Sequence, residues 1–222
     1  MTRLAPTPPA AGLAAVDDIE YGARFLGSLS LHEGRDPALL RHWAATAAEF
    51  GAALAPVARA ESVRADSARV ESAPDESVRA ESVRAESVRV VESTGGLERG
   101  LLARYTSRPP TVELYTDSIE AAERLVSVHG WRAWFPAGSV RSAALAHETV
   151  HERLHHGPGR AALKEALGHT ALRLGRLRVL AHVAGAEELA AHAYAQSVCG
   201  LGRSPLLLSA ALAASAAPAR EK

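Results

Sequence analysis

Residues 146–156 read AHETVHERLHH, and they form the most informative stretch of the chain. Apolar residues recur at helical spacing through it and in the residues before it, with Val150 and Leu154 four positions apart. Gly157-Pro158-Gly159 follows and would end a helix. The pattern therefore predicts a helix from about residue 140 to residue 156, with one buried side.

His147 and His151 share one face of this predicted helix. Residues four apart are separated by about 40° around a helix axis, so both imidazoles can reach one metal ion. Glu148 follows the first histidine and completes an HExxH motif. A zinc ion lowers the pKa of a water molecule to roughly 7, and Glu148 could accept that proton and return it to a leaving amine. The spacing predicts a zinc site with His147 and His151 as ligands and Glu148 as the catalytic base.

A catalytic zinc site needs a third protein ligand. The extended HExxHxxGxxH pattern is not present, because Leu154 stands where it requires Gly and Gly157 where it requires His. Residues 187–195 read EELAAHAYA and offer Glu188 on a separate predicted helix, with His192 four residues later. One of these two side chains could bind the metal while the other hydrogen-bonds within the site.

The pair of stretches AHETVHERLHH and EELAAHAYAQSVCGL resembles the small gluzincin metallopeptidases of the ImmA/IrrE type. In that family an HExxH helix is followed by a helix reading E-x-x-A-(D/N)-x-F-A. Glu188 stands at the zinc-binding glutamate, and His192 replaces the Asp or Asn that orients a ligand histidine. The small, aromatic and final positions of the pattern are matched by Ala191, Tyr194 and Ala195.

The resemblance implies a zincin-like catalytic domain that binds one Zn²⁺ through two histidines and Glu188. Its implied activity is hydrolysis of a peptide or protein substrate. His192 is expected beside the ligands, hydrogen-bonded to one of them. His155, near the end of the HExxH helix, could line the substrate cleft. Tyr194 could polarise a substrate carbonyl in that cleft or pack in the core.

The chain divides into three sections. Residues 1–57 have helical periodicity, with Asp36 and Pro37 as the N-cap and first-turn residue of one helix. Residues 58–94 contain a repeat, and residues 95–222 have the mixed pattern of a folded domain. Because the composition is rich in helix formers such as Ala, Leu and Arg, the predicted fold class is α+β and helix-dominated, with a small sheet.

The third section alternates predicted helices with two strand-like segments. A strand is predicted over residues 111–115, where apolar and polar residues alternate after a Pro pair, and residues 176–183 alternate like an edge strand. Helices are predicted over residues 119–130, 160–175 and 186–199, and after the cap Ser204 with Pro205 at the first position.

The second section repeats a five-residue unit from Arg59 to Ser93, mostly variants of RAESV. A period of five advances a helix by about 140° per unit, and in a strand it places successive valines on opposite faces. Neither geometry buries the valines together. We therefore expect a disordered or loosely helical linker, and we expect that residues 59–93 can be deleted without loss of the metal site.

Composition excludes several other classes of function. The 25 basic and 25 acidic residues balance, so no partner nucleic acid or membrane is expected. Cys199 is the single cysteine, which excludes a cysteine-built metal site. The apolar segment over residues 206–217 is shorter than the roughly 20 residues of a membrane span, and the first residues do not resemble a signal peptide. A cytoplasmic location is expected, and nothing in the sequence specifies an oligomeric state.

Two alternatives to a peptidase stay open at this point. Glu148 and His151 also form an ExxH pair, as in ferritin-like carboxylate–histidine metal proteins, and Glu152 with His155 forms an overlapping pair. The other alternative is a non-catalytic metal-binding or protein-interaction module on the same fold. Bound metal separates the three hypotheses: one zinc ion, two iron ions, or none.

Overall fold

The computed structural model describes residues 10–70, 88–155 and 157–216. Helices make up most of the described chain, which contains a small sheet and a separate hairpin, so the fold is helix-dominated α+β as predicted. The helices are α1 Ala10–Leu13, α2 Asp18–Ser28, α3 Pro37–Val70, α4 Gly96–Arg99, α5 Thr116–Val128, α6 Ser139–His155, α7 Gly157–Leu167, α8 Ala186–Cys199 and α9 Leu206–Ala216. The strands are β1 Arg89–Ser93, β2 Ala103–Ser107, β3 Pro110–Tyr115, β4 Thr170–Leu174 and β5 Leu177–Leu180.

The three-stranded sheet has the order β1-β3-β2. The central strand β3 pairs in parallel with β1 and antiparallel with β2, where Tyr105 lies opposite Val112. Val112 and Leu114 are fully buried and cluster with Ala144 of α6, so α6 packs against this sheet. The strand predicted over residues 111–115 is confirmed. β2 forms one edge of the sheet.

The first section packs directly on the helix that carries Glu188. α3 and α8 lie close together at Gly51, where an added Cβ would lie 2.0 Å from the backbone oxygen of Ala190. Trp43 of α3 and Leu189 of α8 belong to the same hydrophobic core. The sections predicted as residues 1–57 and 95–222 therefore share one core.

Helix ends follow the predicted caps in both terminal sections. Asp36 accepts a hydrogen bond from the backbone N–H of Ala38 at 2.9 Å, at the start of α3. Ser204 accepts one from the backbone N–H of Leu206 at 3.3 Å, where α9 begins. Among the described helices, α9 included, none has both the length and the apolar character that crossing a membrane would require.

The repeat section is ordered at both of its ends. α3 continues through the first repeat units to Val70. The final unit, RVVES, is β1 and pairs along its whole length with β3. The linker predicted over residues 58–94 is wrong at this end, because non-local backbone pairing stabilises a strand that the repeat alone would not. A deletion of residues 59–93 would remove β1, and the part over residues 71–87 lies outside the described residues.

The helix predicted over residues 160–175 is also wrong in its second half. α7 ends at Leu167, and Gly168 then has a φ of 60°, the left-handed conformation that commonly ends helices. Gly175, with a φ of 58°, turns the chain so that β4 pairs antiparallel with β5. The strand-like alternation over residues 176–183 agrees with β5.

Candidate metal centre

α6 carries the HExxH motif and is held in place by its apolar side. Val150 is 2% exposed and Leu154 is fully buried, and both belong to the main core. This packing directs His147 and His151 toward α8, with 4.8 Å between the centroids of their rings. His151 is itself buried. The helix predicted from the motif is thus the one that positions it.

α8 begins directly after Gly185 and places Glu188 in its first turn. Gly185 has a φ of 80°, and a Cβ on it would lie 2.8 Å from Leu29 and 2.9 Å from Phe25. Gly185 is therefore required both by its positive φ and by the close contact of Phe25 and Leu29 with its backbone. Glu188 and His192, one turn apart, face α6 from the first half of α8.

Three side chains converge on one point between α6 and α8. Nε2 of His147 lies 3.1 Å from Nε2 of His151, and the two Glu188 carboxylate oxygens lie 3.2 Å from His147 Nε2 and 3.3 Å from His151 Nε2. Zinc ligands at roughly 2.0–2.2 Å in a tetrahedral arrangement would be about 3.3–3.6 Å apart. The observed separations agree with that spacing to within a few tenths of an ångström.

The same separations also suit hydrogen bonds, so the type of each ligand atom has to be considered in deciding whether a metal ion fits. Nδ1 of His147 is buried and has no hydrogen-bond partner among the described residues. One Nε2 atom can donate a proton to the other, or both can offer lone pairs to one cation. Two imidazole nitrogens and a carboxylate are a donor set that zinc accepts, so the residues present fit this ion.

The protonation state of Glu188 favours its role as a ligand. Burial raises the pKa of Glu188, but the hydrogen bond with His147 and the charges of His147, His151 and His192 outweigh it and lower the pKa to about 2. Burial lowers the pKa of His192 well below its ordinary value, and the charge of His147 acts in the same direction. A carboxylate must be ionised to bind a metal ion, and the lowered pKa of Glu188 favours that form at neutral pH.

His192 lies beside the three converging side chains. Its ring centroid is 4.3 Å from that of His147, at an angle of 49° between the ring planes. It offers a nitrogen within 4.8 Å of donor atoms of His147 and Glu188. Nδ1 of His192 is buried without a hydrogen-bond partner among the described residues. His192 thus packs on a predicted ligand, as expected, through ring contact rather than the expected hydrogen bond.

Glu148 faces the same cluster from the next position on α6. A donor atom of Glu148 lies within 4.8 Å of donor atoms of His147 and His151. The backbone N–H of Tyr105, on the edge strand β2, donates a 2.8 Å hydrogen bond to Oε2 of Glu148. Because successive residues of a strand alternate in direction, Ala103 and Tyr105 both direct their backbone polar groups away from β3 and toward this side.

Two residues predicted as possible parts of a substrate cleft have different outcomes. Tyr194 packs half-buried against the main core and is not among the residues that line the cleft. The reason is helical geometry, because Tyr194 follows His192 by two positions and so points to roughly the opposite side of α8. His155 lies at the end of α6, and its side chain is outside the described ones.

An open cleft of about 1020 Å³ lies over the cluster. Its walls come from α2, β2, the first half of α6, and α9, and most of them are apolar. No local signal in the sequence predicts the walls that α2 and α9 contribute. Neither helix carries a motif, and only long-range packing brings them to this cluster.

Comparisons with known proteins returned no match: no family model, no curated protein and no solved structure is similar to this chain.

Proposed function

We propose that this protein is a zinc-dependent peptidase of the gluzincin class, with His147, His151 and Glu188 as the zinc ligands and Glu148 as the general base. One observation carries the proposal. The donor atoms of two histidines on α6 and a carboxylate on α8 converge at 3.1–3.3 Å, with Glu148 directed at the same point. The zincin-like character of the fold and the cytoplasmic location remain predictions from the sequence.

Zinc, when bound, would supply a Lewis acid that makes a water molecule acidic and polarises a substrate carbonyl. The residues of the chain provide the remaining steps. Glu148 accepts the proton of the attacking water, and the same carboxylate returns it to the leaving amine. The hydrogen bond from the backbone N–H of Tyr105 to Oε2 restrains the orientation of this carboxylate.

The edge strand β2 supports a peptide as the substrate. β2 lines the cleft from Ala103 to Tyr105, and its outward backbone groups face the side on which Glu148 lies. An extended peptide can pair with such an edge through main-chain hydrogen bonds. A cleft of about 1020 Å³ with apolar walls has room for several side chains of such a peptide.

Metal content is the first test. Elemental analysis of the purified protein should find one zinc ion per chain, and His147→Ala should lose it. His42→Ala is the matched control, because His42 is exposed on α3, away from the cluster, and this variant should keep its zinc. Two iron ions per chain would favour the ferritin-like hypothesis, and no metal would remove the basis of the proposal.

Peptide hydrolysis is the second test. The zinc-loaded parent should cleave peptides from a digest of cellular proteins, detected as new termini by mass spectrometry. Glu148→Gln should leave the same digest intact. A zinc-bound parent that cleaves nothing would favour a non-catalytic metal-binding module.

A further inference from the structure

Charge is unevenly distributed along the walls of the cleft. The two acidic residues that line it, Glu148 and Glu188, both belong to the metal centre. The basic residues that line it are Arg24 on α2 and Arg104 on β2. A bound Zn²⁺ would offset the charge of these two carboxylates, so the arginines are the charged groups of the walls outside the centre, and they attract an anionic group of a bound molecule.

The carboxylate that pairs with Arg24 also pairs with a second arginine, so it neutralises only part of the charge of Arg24. Its Nε donates a hydrogen bond to Oε1 of Glu20 at 3.2 Å, but Oε2 of the same carboxylate accepts a closer one, at 2.7 Å, from Arg41. One negative charge is thus shared by two guanidinium groups. The terminal nitrogens of Arg24 have no hydrogen-bond partner among the described residues, and the side chain is 28% exposed.

Arg104 is in a different situation. It lies 3.5 Å from Glu113, which gives it a carboxylate partner of its own, and its side chain is 54% exposed. Exposure weakens its interactions through screening by solvent and salt. Of the two arginines, Arg24 is therefore the better candidate for binding an anion in the cleft.

Apolar side chains line the same cleft as Arg24. Phe25 lies beside it on α2, and Leu206 and Ala210 of α9 line the same cleft. Such a wall favours an apolar side chain of a bound molecule, because contact removes apolar surface from water. An anionic group next to an apolar one complements this wall.

We propose that the cleft selects peptide segments in which a carboxylate lies near an apolar residue, and that Arg24 binds this carboxylate. The carboxylate is either an acidic side chain or the C-terminus of the peptide. Arg24 is then a specificity-determining residue, distinct from the groups that bind metal or move protons. This inference rests on the proposed function for the identity of the occupant as a peptide, but its test measures binding and needs no turnover.

The test uses Glu148→Gln, which cannot consume its ligand, and three pools of N-acetylated octapeptides. In every pool, seven of the eight positions are randomised among Ala, Leu, Val and Phe, and the eighth is the Glu or Gln described next. The first pool contains one Glu and an amidated C-terminus, the second has Gln in place of Glu, and the third is the Gln pool with a free C-terminal carboxylate. Peptides retained by the protein are identified by mass spectrometry.

We expect one carboxylate pool to be retained about tenfold more strongly than the amidated Gln pool, the factor expected for one charge-assisted hydrogen bond. The Glu pool alone would identify an acidic side chain, and the third pool alone a chain end. Adding Arg24→Gln should abolish the preference, Arg24→Lys should keep part of it, and rising salt should weaken it. Arg124→Gln is the matched control, since Arg124 is exposed on α5 and does not line the cleft, and it should keep the preference. Arg41→Gln should weaken the preference, because Glu20 would then pair with Arg24 alone.

Equal retention of all three pools, or no retention of any, would overturn the proposal, as would an unchanged preference in Arg24→Gln. Melting temperatures and zinc content of the Arg24 and Arg41 variants show whether a lost preference reflects a lost fold. A parent that keeps the carboxylate preference but cleaves no peptide would disprove the peptidase function and leave this inference standing. Cleavage of peptides without a carboxylate preference would support the peptidase function and disprove the role of Arg24.

Discussion

The backbone N–H of Tyr105 donates a hydrogen bond of 2.8 Å to Oε2 of Glu148, which lies 43 residues further along the chain. This contact joins the edge of the sheet to the helix that carries the HExxH motif. It fixes the orientation of the proposed general base before any substrate is bound. A base held in this way has less conformational freedom to lose when the reaction begins.

Glu148→Gln should keep zinc and lose turnover. The amide oxygen can still accept the hydrogen bond from Tyr105, so the helix and the ligands should stay in place. It cannot accept the proton of a water molecule, a step that contributes about 10²–10⁴-fold. Steady-state kinetics and elemental analysis on the same sample measure both properties. A fully active Glu148→Gln protein would rule out Glu148 as the base.

Removal of zinc should lower the melting temperature. An ion that binds only the folded state stabilises it by about 2.7 kcal/mol when present at 100 times its Kd. Calorimetry of the zinc-loaded parent with and without a chelator measures this effect. His151→Ala serves as the control, because a variant without the site should melt at one temperature under both conditions. Equal melting temperatures for the loaded and stripped parent would contradict metal binding between α6 and α8.

Gly51→Ala should destabilise the protein and weaken zinc binding together. The added Cβ would lie 2.0 Å from the backbone oxygen of Ala190, so α3 and α8 would have to separate. Overpacking costs about 1–3 kcal/mol, and a clash with backbone belongs at the upper end of this range, above the roughly 1 kcal/mol that alanine gains over glycine in a helix. Because α8 carries Glu188, its displacement should also raise the Kd for zinc.

Urea denaturation and zinc titration measure the two effects of Gly51→Ala. The matched control is Ala53→Ser, which also adds one heavy atom to α3 but on its exposed side. It should change the free energy of unfolding by no more than about 0.5 kcal/mol. If both variants had the same stability, the close approach of α3 and α8 would be disproved.

Asp117→Asn should destabilise the protein at neutral pH and have a smaller effect in acid. The Asp117 carboxylate accepts hydrogen bonds from the backbone N–H groups of Gly95, Gly96 and Leu97, which tie the segment after β1 to the start of α5. Burial raises the pKa of Asp117, but these backbone donors and that of Ser118 outweigh it and bring the pKa below its ordinary value of 3.8.

The direction of the pH effect follows from this lowered pKa. Asp117 contributes its full stabilisation above the unfolded-state value near 3.8 and loses it as the pH falls through the lower folded-state value. The difference in melting temperature between parent and Asp117→Asn should therefore shrink across this acidic range. Glu98→Gln, an exposed charge change on the adjacent α4, should show no such difference at any pH. A constant difference at all pH values would contradict the role of the ionised carboxylate.

Local signals predicted the elements that carry the proposed ligands. The HExxH helix was identified from its own apolar residues and the Gly157-Pro158-Gly159 that follows, and α8 begins and ends between two glycines, Gly185 and Gly200. The side chains predicted to share a metal, His147, His151 and Glu188, lie within hydrogen-bonding distance of one another. These helices could be predicted because the apolar spacing and the flanking glycines that define them lie within or next to each helix.

Elements that depend on distant partners were missed. β1 is the last unit of a repeat whose other units carry the same residue types, and its pairing with β3 is what makes it a strand. β4 was predicted as helix because its pairing across the Gly175 turn leaves little trace in local composition. Arg24 carried no signal at all, since its place in the cleft depends on how α2 packs against α8 and α9.

The contact between Gly51 and Ala190 bears on how such a chain can evolve. Residues 95–222 carry every proposed ligand and the proposed base. However, the side of α8 that faces away from α6 packs on α3, and α2 forms part of the cleft. Recombination that moved residues 95–222 into another gene would expose the apolar side of α8 that packs on α3 and would remove one wall of the cleft. The proposed metal centre is therefore not a portable module, and we expect the N-terminal helices to be inherited together with it.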